Sequence, residues 1–372
     1  MHLEYLKLAT PSDDHEIKKL LRENPMGDSI SLSFEREPSF FKAANIEGSF
    51  HQTIIVREIK SKKIGVLGNR AIRKVFLNGK VQSIGYLGML RLSKNYRGRF
   101  IFRKGYNFLR ELHKDNRTKF YLTSILEENF RARRFLTAGV KGLPRYEKYI
   151  RFLTFSIAIR KPKRPLKPSV HHKIVRGSSD KINEIVDVLQ KAGERQQFYP
   201  YWDSSNLFDP KHTPDLQPED FLLSVKKDKI VGCLAIWDQQ SFKQIVIRDY
   251  SNFYKHARWL INAIAFLTGR PYLPPVNTSI SYCYISHVAI DNNDPSIFSD
   301  LLNFAYILAR EKKIDHMMVG LSEHHPFIPV IKNSYKYLTI PSIIYLVSWA
   351  EDGTNPMEIT DKRIPGIEVA IL

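Results

Sequence analysis

The chain has 372 residues, 43 % hydrophobic and 12 % aromatic, enough apolar material for two packed cores of ordinary size. Lysine and arginine number 57 against 38 aspartates and glutamates, a formal charge of +19 that favours an acidic partner: a phosphorylated cofactor, a nucleic acid or an anionic surface. Cys233 and Cys283 are the only cysteines and sit in apolar stretches, which argues against a disulfide framework or a cysteine zinc site and fits a reducing cytoplasm.

The first residues lack the apolar region of a signal peptide. The longest apolar helical stretch, around 259–267, falls well short of the roughly 20 residues needed to cross a bilayer. A soluble protein with no membrane partner is expected.

Residues 3–9 read as a first strand. Thr10, Pro11 and the early acids Asp13 and Asp14 start a helix that runs to about Glu23. Residues 36–41 predict a short helical lid ended by Gly48. Alternation over 51–59 and 63–70 predicts two strands, and 75–77 returns through the hairpin signal Asn78-Gly79.

The stretch from Ile84 to Lys114 organises the rest. An apolar strand over 84–92 passes through the polar turn 93–98 into a helix with apolar residues at Ile101, Gly105, Phe108, Leu109 and Leu112. At about 100° per residue, Arg99, Arg103, Arg110 and Lys114 fall within an arc of about 60°. A strand, tight turn and basic helix aim backbone N–H groups and a positive dipole end at one spot, which suits phosphate. A second strand over 120–126 leads into a helix beginning near Asn129.

These motifs carry a family resemblance. Leu90 to Gly98 resembles the strand and pyrophosphate loop of the GNAT (GCN5-related) N-acetyltransferases, whose loop reads Gln/Arg-x-x-Gly-x-Gly/Ala, with Arg97 in first position. Phe100 and Phe102 occupy its two glycine positions. Asn129, Ala132, Phe135 and Gly139 resemble the family's Asn-x-x-Ala-x-x-Leu-Tyr…Gly helix, with Leu136 where many members carry a general-acid tyrosine.

Residues 161–168, basic and proline-rich, predict a linker that no helix or central strand continues through. Beyond it the order repeats. A helix over 180–191 and two strands within 220–236 echo the start. Residues 284–290 echo 86–92, the apolar helix 297–310 echoes 100–114, and 317–325 echoes 121–129. The fold expected is α+β: two GNAT-like domains, each a mixed, mostly antiparallel sheet flanked by helices. They span 1–160 and 173–372 around a linker at 161–172, with a helical insertion near 250–269. In the second copy Asp291 to Pro295 replaces the arginine-rich turn, so that half is not expected to bind a pyrophosphate.

The resemblance implies acyl transfer from acetyl-CoA or another acyl-CoA to the amine of a small-molecule or peptide acceptor, by direct attack in a ternary complex. It places the coenzyme on Met89, Leu90, Arg91, Leu92, Arg97, Gly98, Arg99, Phe100, Ile101, Phe102, Arg103, Asn129 and Arg133. Glu127 and Glu128, at the strand end, are the candidate bases, and Tyr146, Tyr149 and Tyr86 the candidate acids. Tyr86 and the aromatic run Tyr201, Trp202 and Asp203 are candidates for the acceptor site. His287, Glu323, His324 and His325 match no zinc-helix spacing, and no metal is expected. Two other readings fit the same residues: a non-catalytic GNAT scaffold that binds a nucleotide or protein, and a tRNA-linked transferase of the Fem type.

Overall fold

The computed structural model describes residues 4–59, 61–96, 101–159, 172–268 and 272–372. In chain order its elements are β1 (Glu4–Leu8), α1 (Asp14–Glu23), β2 (Ile30–Glu35), α2 (Phe40–Ala44), β3 (Phe50–Glu58), β4 (Ile64–Leu77) and β5 (Lys80–Leu92). They continue with α3 (Ile101–His113), β6 (Tyr121–Leu126), α4 (Phe130–Leu136), β7 (Arg145–Ala158), β8 (Lys173–Arg176) and α5 (Ile182–Glu194). After the two-residue strands β9 (Gln196–Gln197) and β10 (Tyr199–Pro200) come β11 (Phe221–Lys226), β12 (Lys229–Trp237), β13 (Gln244–Tyr250) and α6 (Asn252–Thr268). The last are β14 (Tyr282–Ile290), α7 (Pro295–Glu311), β15 (His316–Ser322), α8 (Ile328–Ser334), β16 (Tyr337–Ser348) and β17 (Ile364–Pro365).

One 13-stranded sheet runs through the molecule in the order β1-β3-β4-β5-β6-β16-β7-β15-β14-β12-β11-β8, with β10 paired to β4. The order reads alike from both ends. Near one side β5 lies parallel to β6, and near the other β14 lies parallel to β15. At the centre the halves exchange strands. β16 pairs with β6 of the first half, β7 pairs with β15 of the second, and the two run antiparallel to each other.

Helices α3 and α7 bury the apolar stripes that their spacing predicts. Ile101, Tyr106 and Leu109 of α3 face the sheet, as do Phe298, Leu301, Leu302 and Ala305 of α7. The β5–β6 junction is the tightest approach. A Cβ on Gly85 would lie 2.1 Å from the Tyr121 ring, so only glycine fits there. Behind that ring Arg70 is fully buried. It donates to Asp115 at 2.7 and 2.8 Å and to the Tyr121 hydroxyl at 2.9 Å, locking β4, β6 and the α3–β6 loop together.

Three expectations change. The strands expected at 63–70 and 75–77 are one strand, β4, because its pairing with β5 continues without a break from Asn69↔Gly88 to Leu77↔Lys80. Arg36 lies outside the short helix α2, which begins after its cap Ser39. Strands β2 and β13, neither of them expected, pair with each other across more than two hundred residues to form a separate two-stranded flap. The 161–172 linker lies outside the described residues apart from His172.

Candidate active site

The site begins with a defect in β5. Leu67 of β4 pairs with Arg91 and Asn69 pairs with Gly88, so Met89 and Leu90 form a bulge opposite Gly68. Met89 takes a left-handed φ of 55°. β5 pairs with β6 at Gly85↔Tyr121 and Tyr86↔Leu122, and the Thr123 hydroxyl donates to the Leu87 carbonyl at 2.7 Å. Past that bond the two strands part. A cavity of about 400 Å³ opens at the gap and reaches both faces of the sheet.

On one side the cavity is walled by α3, β6 and α4. Ile101, Phe102, Gly105 and Leu109 meet Ile125, Leu126 and Leu136 there. A Cβ on Gly105 would have nothing within 4 Å, so this helix face stands clear of the strands. Phe102 packs on Phe135 with ring centroids 4.6 Å apart. The hydroxyls of Tyr106 and Tyr146 share a 2.5 Å hydrogen bond on the same wall. Burial pushes the Tyr106 phenol up to about 12 and Tyr146 well above its ordinary value, so both hold their protons at neutral pH.

The opposite side is polar and sits under the β2–β13 flap. Arg36, Glu47, Asn69, Tyr86, Arg91, Lys243, Tyr282 and Tyr284 line it. Alternation along β5 sends Arg91 to this side, near Arg36 and Tyr86, while Leu92 packs toward Ile101. Arg36 donates to the Glu35 carbonyl at 2.9 Å and reaches the Met89 sulfur at 3.7 Å. Burial, with Arg36 adding to it, lowers the Arg91 guanidinium to about 10.

Glu47, 4 % exposed, accepts a hydrogen bond from Asn69. Burial raises its carboxyl above the usual range despite that bond and the nearby Arg36, Lys243 and Arg73. Lys243 donates to the main-chain oxygens of Ala370 and Leu372 at 3.0 and 3.4 Å. Burial first, then Arg36, lowers its ammonium well below the ordinary lysine value. A carboxylate made more basic beside a lysine made less so is a pair suited to taking protons from an incoming ammonium.

The predicted site residues divide. Met89, Leu90, Arg91, Leu92, Ile101, Phe102, Asn129, Tyr86 and Tyr146 line the cavity. Asn129 also caps α4, accepting from the Ala132 N–H at 3.2 Å. Arg103 is exposed on α3, and Arg133 lies 5.0 Å from the Phe130 ring. Arg97, Gly98, Arg99 and Phe100 lie outside the described residues.

Glu127 and Glu128 do not line the cavity. Arg151 grips Glu127 at 2.7 and 2.9 Å and lowers its carboxyl, the opposite of what a base needs. Glu128 is exposed. Tyr149 packs edge-on against Phe198 in the core. The aromatic run is core and turn: the Trp202 and His287 rings lie tilted with centroids 4.6 Å apart, Tyr201 packs on Phe76, and Asp203 accepts from the Ser205 and Asn206 N–H groups. Arg36, Glu47 and Lys243 were missed because they come from the lid, its end and the flap, none carrying a motif.

No protein-family model matches the sequence, and no curated protein matches it. Solved structures do. Saccharomyces cerevisiae N-myristoyltransferase, in a structure with bound myristoyl-CoA and inhibitors, superposes with a TM-score of 0.61 at 13 % identity, over 98 % of this chain and 86 % of that one. A GCN5-related N-acetyltransferase from Sphaerobacter thermophilus gives 0.55 at 10 % identity over 99 % and 98 %. The GCN5-related glucosamine N-acetyltransferase region of a fungal multi-domain β-N-acetylglucosaminidase gives 0.61 at 11 % identity, over 93 % of this chain and 38 % of that one. Bulged central strand, parted parallel pair and flanking helices together give this chain the fold of the acyl-CoA N-acyltransferases.

Proposed function

We propose that the protein transfers an acyl group from acyl-CoA to an amine by direct attack in a ternary complex. The observation that carries this reading is the cavity at the parting of β5 and β6, which joins an apolar wall on α3 to a polar chamber on the other face of the sheet. The thioester lies in the gap, its carbonyl oxygen against main-chain N–H groups at the Met89–Leu90 bulge. Such preorganised donors favour the oxyanion that forms there. The acceptor enters the chamber under the flap. Its ammonium gives a proton to Glu47, the free amine attacks the thioester carbon, the C–S bond breaks, and the thiolate leaves with a proton from the Tyr146–Tyr106 pair, which is restored by the second proton shed from the attacking nitrogen.

The apolar wall of Phe102, Leu109, Ile125 and Leu136 suits an acyl chain longer than acetyl. The structural likeness to a protein that holds myristoyl-CoA points the same way. Calorimetric titration with acetyl-CoA and with myristoyl-CoA tests the donor. Saturable binding at one site per chain is expected, tighter for the longer chain, and absence of binding to both sinks the reading. In an amine screen that reads CoA release, Glu47→Gln should lower kcat by about 100-fold or more with donor affinity unchanged. Full turnover removes Glu47 as the base.

A further inference from the structure

Helix α6 faces outward with the wrong side for a water-soluble helix. Phe253, Trp259, Phe266 and Leu267 are 71–79 % exposed, and Leu260 and Ile264 add to them. At about 100° per residue all six fall within an arc of about 160°. A single exposed leucine needs no explanation, whereas a half-cylinder of large side chains does.

The helix is not a frayed segment that has swung out. Its inner face is tied down by Ala265, 1 % exposed, and by the Asn262 amide, which donates to the Leu273 carbonyl at 3.1 Å and accepts from its N–H at 2.8 Å. At its start Lys255 pairs with Asp249 at 2.9 Å, and at its end Lys336 donates to the Thr268 carbonyl. The apolar face is held in one orientation.

We infer that α6 docks the protein on the surface of a bilayer that contains anionic phospholipid, lying in the interface plane with its apolar half among the acyl chains. The charges support that occupant. α6 has no carboxylate, Arg258 adds a cation beside the Lys255–Asp249 pair, and the chain as a whole stands at +19. A second copy would bring cations against cations, while an anionic leaflet attracts them at about 1 kcal/mol per basic side chain near the surface. Tryptophan and phenylalanine beside lysine and arginine is the composition of interfacial helices.

Seventeen residues with two cations lie on a membrane and do not cross it, and among the described residues no helix is long and apolar enough to span. The sequence-based expectation of no membrane partner rests on the lack of a spanning stretch, and a helix lying on the surface departs from it. The apolar surface also leads somewhere. Leu338 and Ile340 follow Lys336 at alternate positions of β16, so they share its face, and they are 54 % and 40 % exposed. Ile340 lines the cavity. The Lys336–Thr268 bond therefore sets the end of α6 beside the strand that carries Ile340 to the cavity wall.

Flotation of the purified full chain with phosphatidylcholine vesicles, with and without phosphatidylglycerol, tests this without reference to activity. The chain should float with the anionic vesicles. A Trp259→Ser, Phe266→Ser double variant should lose at least about tenfold in partitioning with an unchanged melting temperature, because both side chains are already in water. A wild-type chain that stays unbound with anionic vesicles overturns the inference, as does a double variant that floats like the wild type. Equal flotation on phosphatidylcholine alone removes the anionic headgroup as the partner. A dimer that sediments without vesicles and dissociates in the double variant assigns the face to a second copy instead.

Discussion

The molecule contains the same backbone bulge twice and treats the two in opposite ways. In β5 it falls at Met89, φ 55°, and in β14 at His287, φ 52°. The second has the same register slip, with Cys233 paired to Ala289 and Ala235 to Ser286. Around Met89 the neighbouring strand departs after two pairs and a cavity fills the gap. Around His287 the parallel strand stays for four pairs, from Tyr282↔His316 to Ile285↔Val319.

The His287 ring is fully buried against Trp202, Phe221 and Trp237. The main-chain N–H of His287 donates to Glu368 at 2.7 Å. A bulge frees main-chain donors, and what they bind depends on whether protein groups reach them first. In the second half a carboxylate and three rings have done so, and in the first half the space is left for a ligand.

Three changes break or sharpen this contrast. The largest effect is expected from Trp202→Ala, which empties the ring cluster over His287. It should cost about 4 kcal/mol in denaturant unfolding. It should create no donor affinity, because Glu368 still holds the His287 N–H; a new coenzyme site there would mean the two bulges differ only by their plug. Next, Gly105→Phe puts a ring into the open gap on the first side. Since nothing crowds that Cβ, the fold should stand while acyl-CoA affinity in calorimetry falls about 100-fold. Undiminished binding would place the donor elsewhere.

The smallest effect concerns Glu368. Burial raises its carboxyl to about 7, opposed by the N–H groups of Ala370 and His287. With the folded value above the unfolded one, its contribution to stability is fully present below about 4.5 and is lost as pH rises through about 7. The change amounts to about 2 kcal/mol once its partial exposure is allowed for. Glu368→Gln should flatten the melting temperature across that window, and an unaltered pH profile would mean another group carries it.

Much of the fold could be read from residues because it depends on local order. Residues 84–92, 101–113, 121–126 and 130–136 form strand, helix, strand and helix as their periodicity predicts. Matching 284–290 to 86–92 sets His287 opposite Met89, two positions that both have a left-handed backbone. What stayed hidden depends on distant partners. The flap joins Ile30–Glu35 to Gln244–Tyr250, and no local pattern announces a pairing of that separation.

The same limit governs the site. Glu127 stands at the strand end where a base was expected, but Arg151 two strands away captures it. Glu47 becomes a candidate because Asn69 and the flap enclose it. Leu136 replaces the resembled family's tyrosine on α4, and the hydroxyl on that wall comes from Tyr146 at the start of β7.

That exchange reaches back to the ribosome. β6 leaves the exit tunnel with β5 already made, but its other neighbour is β16, residues Tyr337–Ser348. More than two hundred residues of synthesis separate the two, and at ordinary elongation rates of about 5–20 residues per second the nascent first half waits on the order of ten to forty seconds with one edge of β6 unpaired. Unpaired edges are templates for association with other chains. The first half therefore cannot complete its sheet until residues 337–348 have been made, and its open edge has to stay clear of other chains until then.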